Sequence, residues 1–134
     1  QHDLEFLYSV FIEGQGTKHR FIPSVKYSRF DLDGKAMSFN LYGLNLNYRF
    51  DVEKWAVAVS GYYSYADYDK TNPIYGKTRE DDRYGFGVLG FYKHIFDVRG
   101  LHLNANLSIN RGDSNIDFYD REIDVFTLGV FYGF

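Results

Sequence analysis

The chain has 134 residues, no cysteine and a formal net charge of −3. These values exclude a disulfide framework, a thiolate zinc site and a cysteine nucleophile, and the charge is too slight and of the wrong sign for a nucleic-acid partner. Hydrophobic residues reach 45% at a mean hydropathy of −0.38, with 13 Tyr, 13 Phe and one Trp supplying much of the apolar surface, and no run approaches the ~18–20 apolar residues of a membrane-spanning helix.

A helical membrane protein is thereby excluded, whereas one that crosses with strands is not: eight spanning strands of roughly 9–11 residues take about 72–88 residues. Two prolines and 13 glycines are not the composition of a disordered chain. The start at Gln1-His2-Asp3 has no initiator Met, basic region or apolar stretch, as expected of a mature end or a cut fragment. A single domain over residues 1–134 is expected, because no linker, low-complexity tract or long repeat interrupts the pattern.

Period-two alternation, the strand signal, runs almost throughout. Leu4, Phe6, Tyr8, Val10 and Ile12 alternate with Glu5, Leu7, Ser9, Phe11 and Glu13. Residues 14–20 read as the connection to a second strand, in which Phe21, Val25 and Tyr27 oppose Ser24, Lys26 and Ser28. Asp33-Gly34 marks a short turn whose flanking strands can extend into a taller hairpin. Leu44, Leu46, Tyr48 and Phe50 oppose Gly43, Asn45, Asn47 and Arg49, while Phe39 and Leu41 fall out of phase; a bulge is expected to restore it. After a tight turn at 51–54, Trp55, Val57, Val59, Gly61, Tyr63 and Tyr65 oppose Ala56, Ala58, Ser60, Tyr62, Ser64 and Ala66. A helical reading of Val52, Trp55, Ala56 and Val59 behind an Asp51 cap is rejected, since Gly61 and the tyrosine run end it too early for a stable helix.

Residues 67–81 are expected to form a long, polar, acidic loop. Residues 84–94 are apolar or glycine on both faces, which leaves their orientation open. Beyond a tight turn at 96–100, Leu101, Leu103, Ala105, Leu107 and Ile109 oppose His102, Asn104, Asn106 and Ser108. A second acidic loop is expected at 110–120. The last strand alternates Phe126, Leu128, Val130, Tyr132 and Phe134 with Thr127, Gly129, Phe131 and Gly133.

A soluble sandwich and a membrane barrel both alternate, so the polar face decides between them. Here it is mostly small: Gly43, Asn45, Asn47, Ala56, Ala58, Ser60, Asn104, Asn106, Ser108, Gly129 and Gly133. Small polar groups suit the wet, cramped interior of a narrow barrel. The apolar face carries Leu and Val in mid-strand and rings towards strand ends, as at membrane interfaces. The expected fold is therefore all-β, an antiparallel up-and-down transmembrane β-barrel with seven visible strands. Glu5, Glu13, Lys26, Arg49, Arg83 and Lys93 are candidates for a lumen network, read as interior salt bridges in a filled barrel or as a polar conduction path.

Other candidate chemistry is thinner. His102 is on a clean polar face, but Ser108 lies about 20 Å along the same strand at ~3.3 Å per residue, which removes that pair as a Ser–His set; Ser60 is not placed by sequence. Arg111-Gly112-Asp113-Ser114 spells a cell-attachment tripeptide at the start of an expected outer loop, and is equally plain turn chemistry. Asp67, Asp69, Glu80, Asp81, Asp82, Asp113, Asp117, Asp120 and Glu122 make the long loops acidic without fixed metal-ligand spacing. No cofactor, metal or catalytic residue is expected.

The final strand, with alternating aromatics at Phe126, Leu128, Val130, Tyr132 and a terminal Phe134, resembles the assembly signal of bacterial outer-membrane barrels, which the barrel-assembly machinery reads. Residues 72–84 and 114–120 resemble the barrel ends of surface-lipoprotein-assembly-modifier-like and related uncharacterised outer-membrane proteins. That likeness covers roughly the last half of the chain; the periplasmic helical repeats of the assembly modifiers have no counterpart here, so their activity is not carried over. The resemblance implies the bacterial outer membrane as location, with lipid and lipopolysaccharide around the barrel. With the C-terminal end periplasmic, the first strand descends from outside, and an even barrel requires one more strand. Either an eighth strand lies within residues 1–50 or the chain is part of a larger barrel, paired with another envelope protein or an upstream segment. The expected function is non-enzymatic: a structural or interaction subunit or a narrow, porin-like pore. The alternatives are a soluble barrel holding a small apolar ligand and a lipid-modifying outer-membrane enzyme.

Overall fold

A computed structural model describes residues 2–32 and 37–133. It is all-β. Eight strands follow one another as β1 (His2–Leu7), β2 (Val10–Gly14), β3 (Thr17–Phe30), β4 (Phe39–Val52), β5 (Trp55–Thr71), β6 (Thr78–Lys93), β7 (Leu101–Ser114) and β8 (Arg121–Tyr132). All pair antiparallel in one up-and-down sheet, β1 and β2 both on β3 and each later strand on its predecessor. Eight strands thus occupy seven lanes.

The division of the first lane has a local cause. β1 and β2 keep one register against β3, Leu7 opposite Ser24 and Val10 opposite Phe21. Between them Tyr8 faces Pro23: the Tyr8 N–H donates to the Pro23 carbonyl at 3.1 Å, but Pro23 has no N–H to return. Proline's missing donor points at the first lane, so the β3–β4 ladder passes Pro23 unbroken.

Several connections differ from the sequence reading. The first is a two-residue turn, with Gly14 opposite Thr17 and Gly16 at φ 73°, so residues 17–20 already belong to β3. No bulge restores the phase of Phe39 and Leu41; the β3–β4 and β4–β5 registers are continuous there, and both side chains stay on the polar face. The irregularity falls instead between Asp67 and Thr71. The expected long loops are largely strand: β5 and β6 reach Thr71 and Thr78, and β7 reaches Ser114. Polar side chains on both faces masked the alternation in these upper segments. The helix-free reading of 52–59 holds, with Trp55 opening β5. The Asp33-Gly34 turn and Phe134 lie outside the described residues.

The registers align every lane's apolar set on one face: Leu4–Tyr27, Val25–Leu44, Leu44–Tyr63, Tyr63–Tyr84, Val88–Leu107 and Leu107–Phe126 are direct partners. This also settles 84–94, where Tyr84, Phe86, Val88 and Tyr92 join that face. The buried strand residues, Ser24, Ser28, Ala56, Ala66 and Asp81, all belong to the opposite, polar face. Among the described residues no second layer covers either face, so this burial comes from the sheet curling with its polar face concave. The accessible surface is 9539 Å², against about 7,300 Å² for a compact globular protein of this mass. The surplus sits on the convex apolar face and along the outer edges of β1, β2 and β8, where no pairing joins β8 to β1 or β2 among the described residues.

Candidate functional site

The convex face has three zones. Leu44, Leu46, Val57, Val59, Val88, Leu103, Leu107, Leu128 and Val130 form an aliphatic middle, and many remain strongly exposed, Leu128 at 62% and Val130 at 63%. Towards the short turns lie Tyr48, Phe50, Trp55, Tyr92 and Tyr132; towards the long connections lie Tyr27, Tyr42, Tyr63, Tyr65 and Tyr84. The two aromatic rows stand ~6–10 residues apart along β4, β5 and β6, roughly 20–33 Å of strand and about 15–25 Å of height at a tilt of ~40°. Above the upper row the same face turns polar. Arg29 there donates to Asp69 and Asp31, the Tyr63 hydroxyl donates to Asp82, and Arg111 pairs with Asp124 at 2.5 Å and Glu122 at 2.8 Å.

All six predicted lumen residues fall on the concave face, but not in one network. Glu5 and Lys26 are register partners on β1 and β3. Glu13 pairs with Lys18 at 3.7 Å, both well exposed. Arg49 grips Asp51 through two 2.7 Å bonds and holds that carboxyl below the usual carboxylate range. Glu13, Lys18, Arg49 and Asp51 border, with Arg20 and Lys93, a recess of about 770 Å³ at the short-turn end. Glu5, Lys26 and Arg83 lie away from it, in one row of the register through Gly43 and Ser64. Of the assembly-signal residues, Phe126, Leu128, Val130 and Tyr132 lie on the convex side of β8.

A second recess, of about 670 Å³, opens at the end of the long connections. The nearly buried Asp81 accepts two bonds from Arg79, at 2.7 and 2.6 Å, and lies 3.5 Å from Arg83. The Arg79 guanidinium is sandwiched between rings, 4.8 Å from Tyr68 and 3.5 Å from Tyr119. Tyr68 continues a ring stack through Phe39 to Phe30. The out-of-phase Phe39 is therefore part of a polar-face platform that anchors the 115–120 connection. Arg79, Tyr119 and Arg121 were missed by sequence reasoning, and Asp81 was read as a loop carboxylate where it is part of β6. Their signal is the alternate spacing of Arg79, Asp81 and Arg83, which marks one strand face once 78–83 is read as strand.

The remaining candidates separate. His102 stacks on Phe131 and neighbours His94 near the 94–100 connection, whereas Ser60 and Ser108 flank Gly87 in a mid-height row; the structure does not bring them together with His102. The Arg111-Gly112-Asp113 tripeptide is not a displayed loop. It lies within β7, paired to β6, with Arg111 and Gly112 also paired to β8. The acidic residues expected in loops are mostly on strand ends, and no metal-holding cluster occurs among the described residues.

These features define a curved, single-layer, up-and-down antiparallel sheet with one apolar and one polar face. The chain belongs to the family described as protein of unknown function DUF2860, whose model matches residues 1–133. Comparison with curated proteins and with solved structures gives no match.

Proposed function

We propose that this chain forms part of the wall of an integral β-barrel of the bacterial outer membrane, working as a structural or interaction subunit or pore wall and not as an enzyme. The observation that carries the reading is the convex face: apolar surface across seven lanes, with aromatic rows at both ends of β4, β5 and β6 whose separation reaches the ~25 Å of an apolar band. Lipid and lipopolysaccharide are the partners such a face fits. The competing soluble barrel with a bound apolar ligand needs its rings turned inward, and the curl carries them outward.

Lane parity bears on closure. Seven alternating lanes leave the first lane and β8 running the same way. A second copy turned about the barrel axis would set β8 beside β1 and β2 in parallel, so it does not restore alternation. An odd number of further strands of different sequence does. The concave side chains of Asn47, Arg49, Ser60, Tyr62 and Arg83 are exposed, whereas an eight-stranded barrel is just wide enough for its side chains to fill. That openness favours three or more added strands over one. In lipid, edges left bare leave backbone groups unsatisfied at several kcal/mol each. The test is partition. The protein is expected to fractionate with outer membranes and to need detergent for monodispersity; soluble, monodisperse protein without detergent overturns the reading.

A further inference from the structure

Arg83 of β6 and Arg121 of β8 stand on the concave face on either side of Gly112 of β7, in one row of the register. Both stems lie against the glycine, where an added Cβ would meet Arg83 Cγ at 3.6 Å and Arg121 Cβ at 3.7 Å. Between their backbones, roughly 10 Å apart across two inter-strand spacings, the floor carries no side chain. The row opens into the 670 Å³ recess, with Tyr62, Phe118 and Tyr119 in its wall, a size suited to a small organic ligand.

Charge in this recess is unevenly compensated. Arg79 is saturated by Asp81 and its two rings. Arg83 reaches the same carboxylate only at 3.5 Å, and Arg121 makes no ion pair among the described residues. Asp82, Arg111 and Asp113 border the recess from the convex side, where Asp82 is taken by Tyr63 and Arg111 by Asp124 and Glu122. Asp120 accepts the Ser114 N–H at 2.8 Å. Four arginines and four carboxylates line the recess, but among the described residues no carboxylate lies within ion-pair range of Arg121 and only Asp81, at 3.5 Å, does so for Arg83, so both guanidinium groups keep N–H donors free towards the open floor. Planar guanidinium forks bind phosphate and carboxylate oxygens bidentately.

We propose that Arg83 and Arg121 form an oxyanion-binding site that takes the phosphate or carboxylate group of a small solute, whose carbon skeleton packs on the aromatic wall. The inference rests on the concave face being a wet lumen. Detergent-solubilised protein is titrated at low salt with inorganic phosphate and, separately, with glucuronate, by calorimetry. The unaltered protein and Lys18→Gln, a control at the short-turn end outside this recess, are expected to bind at least one probe saturably, and the better-bound probe names the group. Arg83→Gln/Arg121→Gln is expected to weaken that binding about tenfold or more. Should the double variant fail to fold, Arg121→Gln alone serves, since Arg121 has no ion pair to lose, and it is expected to show a smaller loss. Absence of saturable binding to either probe, or equal affinity in the arginine variants, overturns the proposal. Insertion into lipid vesicles is scored in parallel, so that loss of binding by an inserting protein counts against this site alone, while failure to insert counts against the membrane reading.

Discussion

Asp81 and Lys18 take part in ion pairs of very different weight. Asp81 is 3% exposed and closes two hydrogen bonds with a ring-packed Arg79. Removing one partner of a buried pair leaves an uncompensated charge, so Asp81→Ala is expected to lower stability by about 3–5 kcal/mol. The Lys18–Glu13 pair is more than two-thirds exposed on both sides, and Lys18→Ala should cost under about 1 kcal/mol. Denaturant titration of refolded protein separates the two, and equal losses would contradict the assignment. Asp51 supplies a pH test. Arg49 depresses its carboxyl in the folded state, so its contribution is present above the ordinary carboxylate range, about pH 4, and fades as pH falls through the lowered value. Asp51→Asn should flatten the acid limb of a stability–pH profile measured below about pH 5; an unchanged limb would show that Arg49 adds nothing there.

At the scale of strands, glycines on the polar face are spaces that neighbours use. Tyr62 of β5 lies across β6 at Gly85, and its hydroxyl donates to Asn110 Oδ1 of β7 at 3.0 Å. A Cβ at Gly85 would enter the Tyr62 ring and sit 2.7 Å from Asn110 Oδ1. Gly85→Ala is therefore expected to destabilise by about 1–3 kcal/mol, and Tyr62→Ala should remove most of that penalty in the double variant. Additive losses in a double-mutant cycle would show that the ring does not occupy the glycine's space. The alternation of Leu103 and Asn104 was plain in the sequence, and so was the face each joins. The Tyr62–Gly85–Asn110 bridge was not, because it joins three strands through registers that no local pattern specifies. The upper strands were misread for a related reason: with Arg79, Asp81 and Arg83 inward and Glu80 and Asp82 outward, polarity alternates with polarity and the period-two signal disappears.

For the whole molecule, the two-faced curl makes the sharpest demand. Leu107 lies between Val88 and Phe126 in mid-strand on the convex face, and Asn106 between Leu89 and Thr127 on the concave face. In the proposed setting Leu107→Arg puts a charge in hydrocarbon, at about 2–4 kcal/mol near mid-bilayer. Asn106→Arg enters the wet side and should cost less. Refolding into lipid vesicles measures both, and equal costs would mean that the convex face does not meet lipid. Lane parity belongs to this scale too. Odd lanes follow from counting hairpins, yet the open concave face emerges only when seven lanes curl together, and in the proposed setting it favours a wide barrel over a filled one.

The sequence by itself determined the all-β class, the seven alternating lanes and, outside residues 39–41 and 84–94 and the upper strand ends, which side chains share a face, because strand periodicity and burial preference are local and a long apolar set specifies its own phase. Its alternation also put Glu5, Glu13, Lys26, Arg49, Arg83 and Lys93 on one face, and they share the concave face of the sheet. Only the tertiary structure decided how those charges group, with Glu13, Lys18, Arg49, Asp51 and Lys93 at one end and Arg79, Asp81, Arg83 and Arg121 at the other. It alone showed that Pro23 splits the first lane, that the Arg111-Gly112-Asp113 segment is strand, and that Phe39 belongs to the polar-face ring stack. Each of these depends on which residue of one strand lies opposite which residue of the next. That register is set by hydrogen-bonding between segments far apart in sequence, which period-two alternation within any one strand cannot specify.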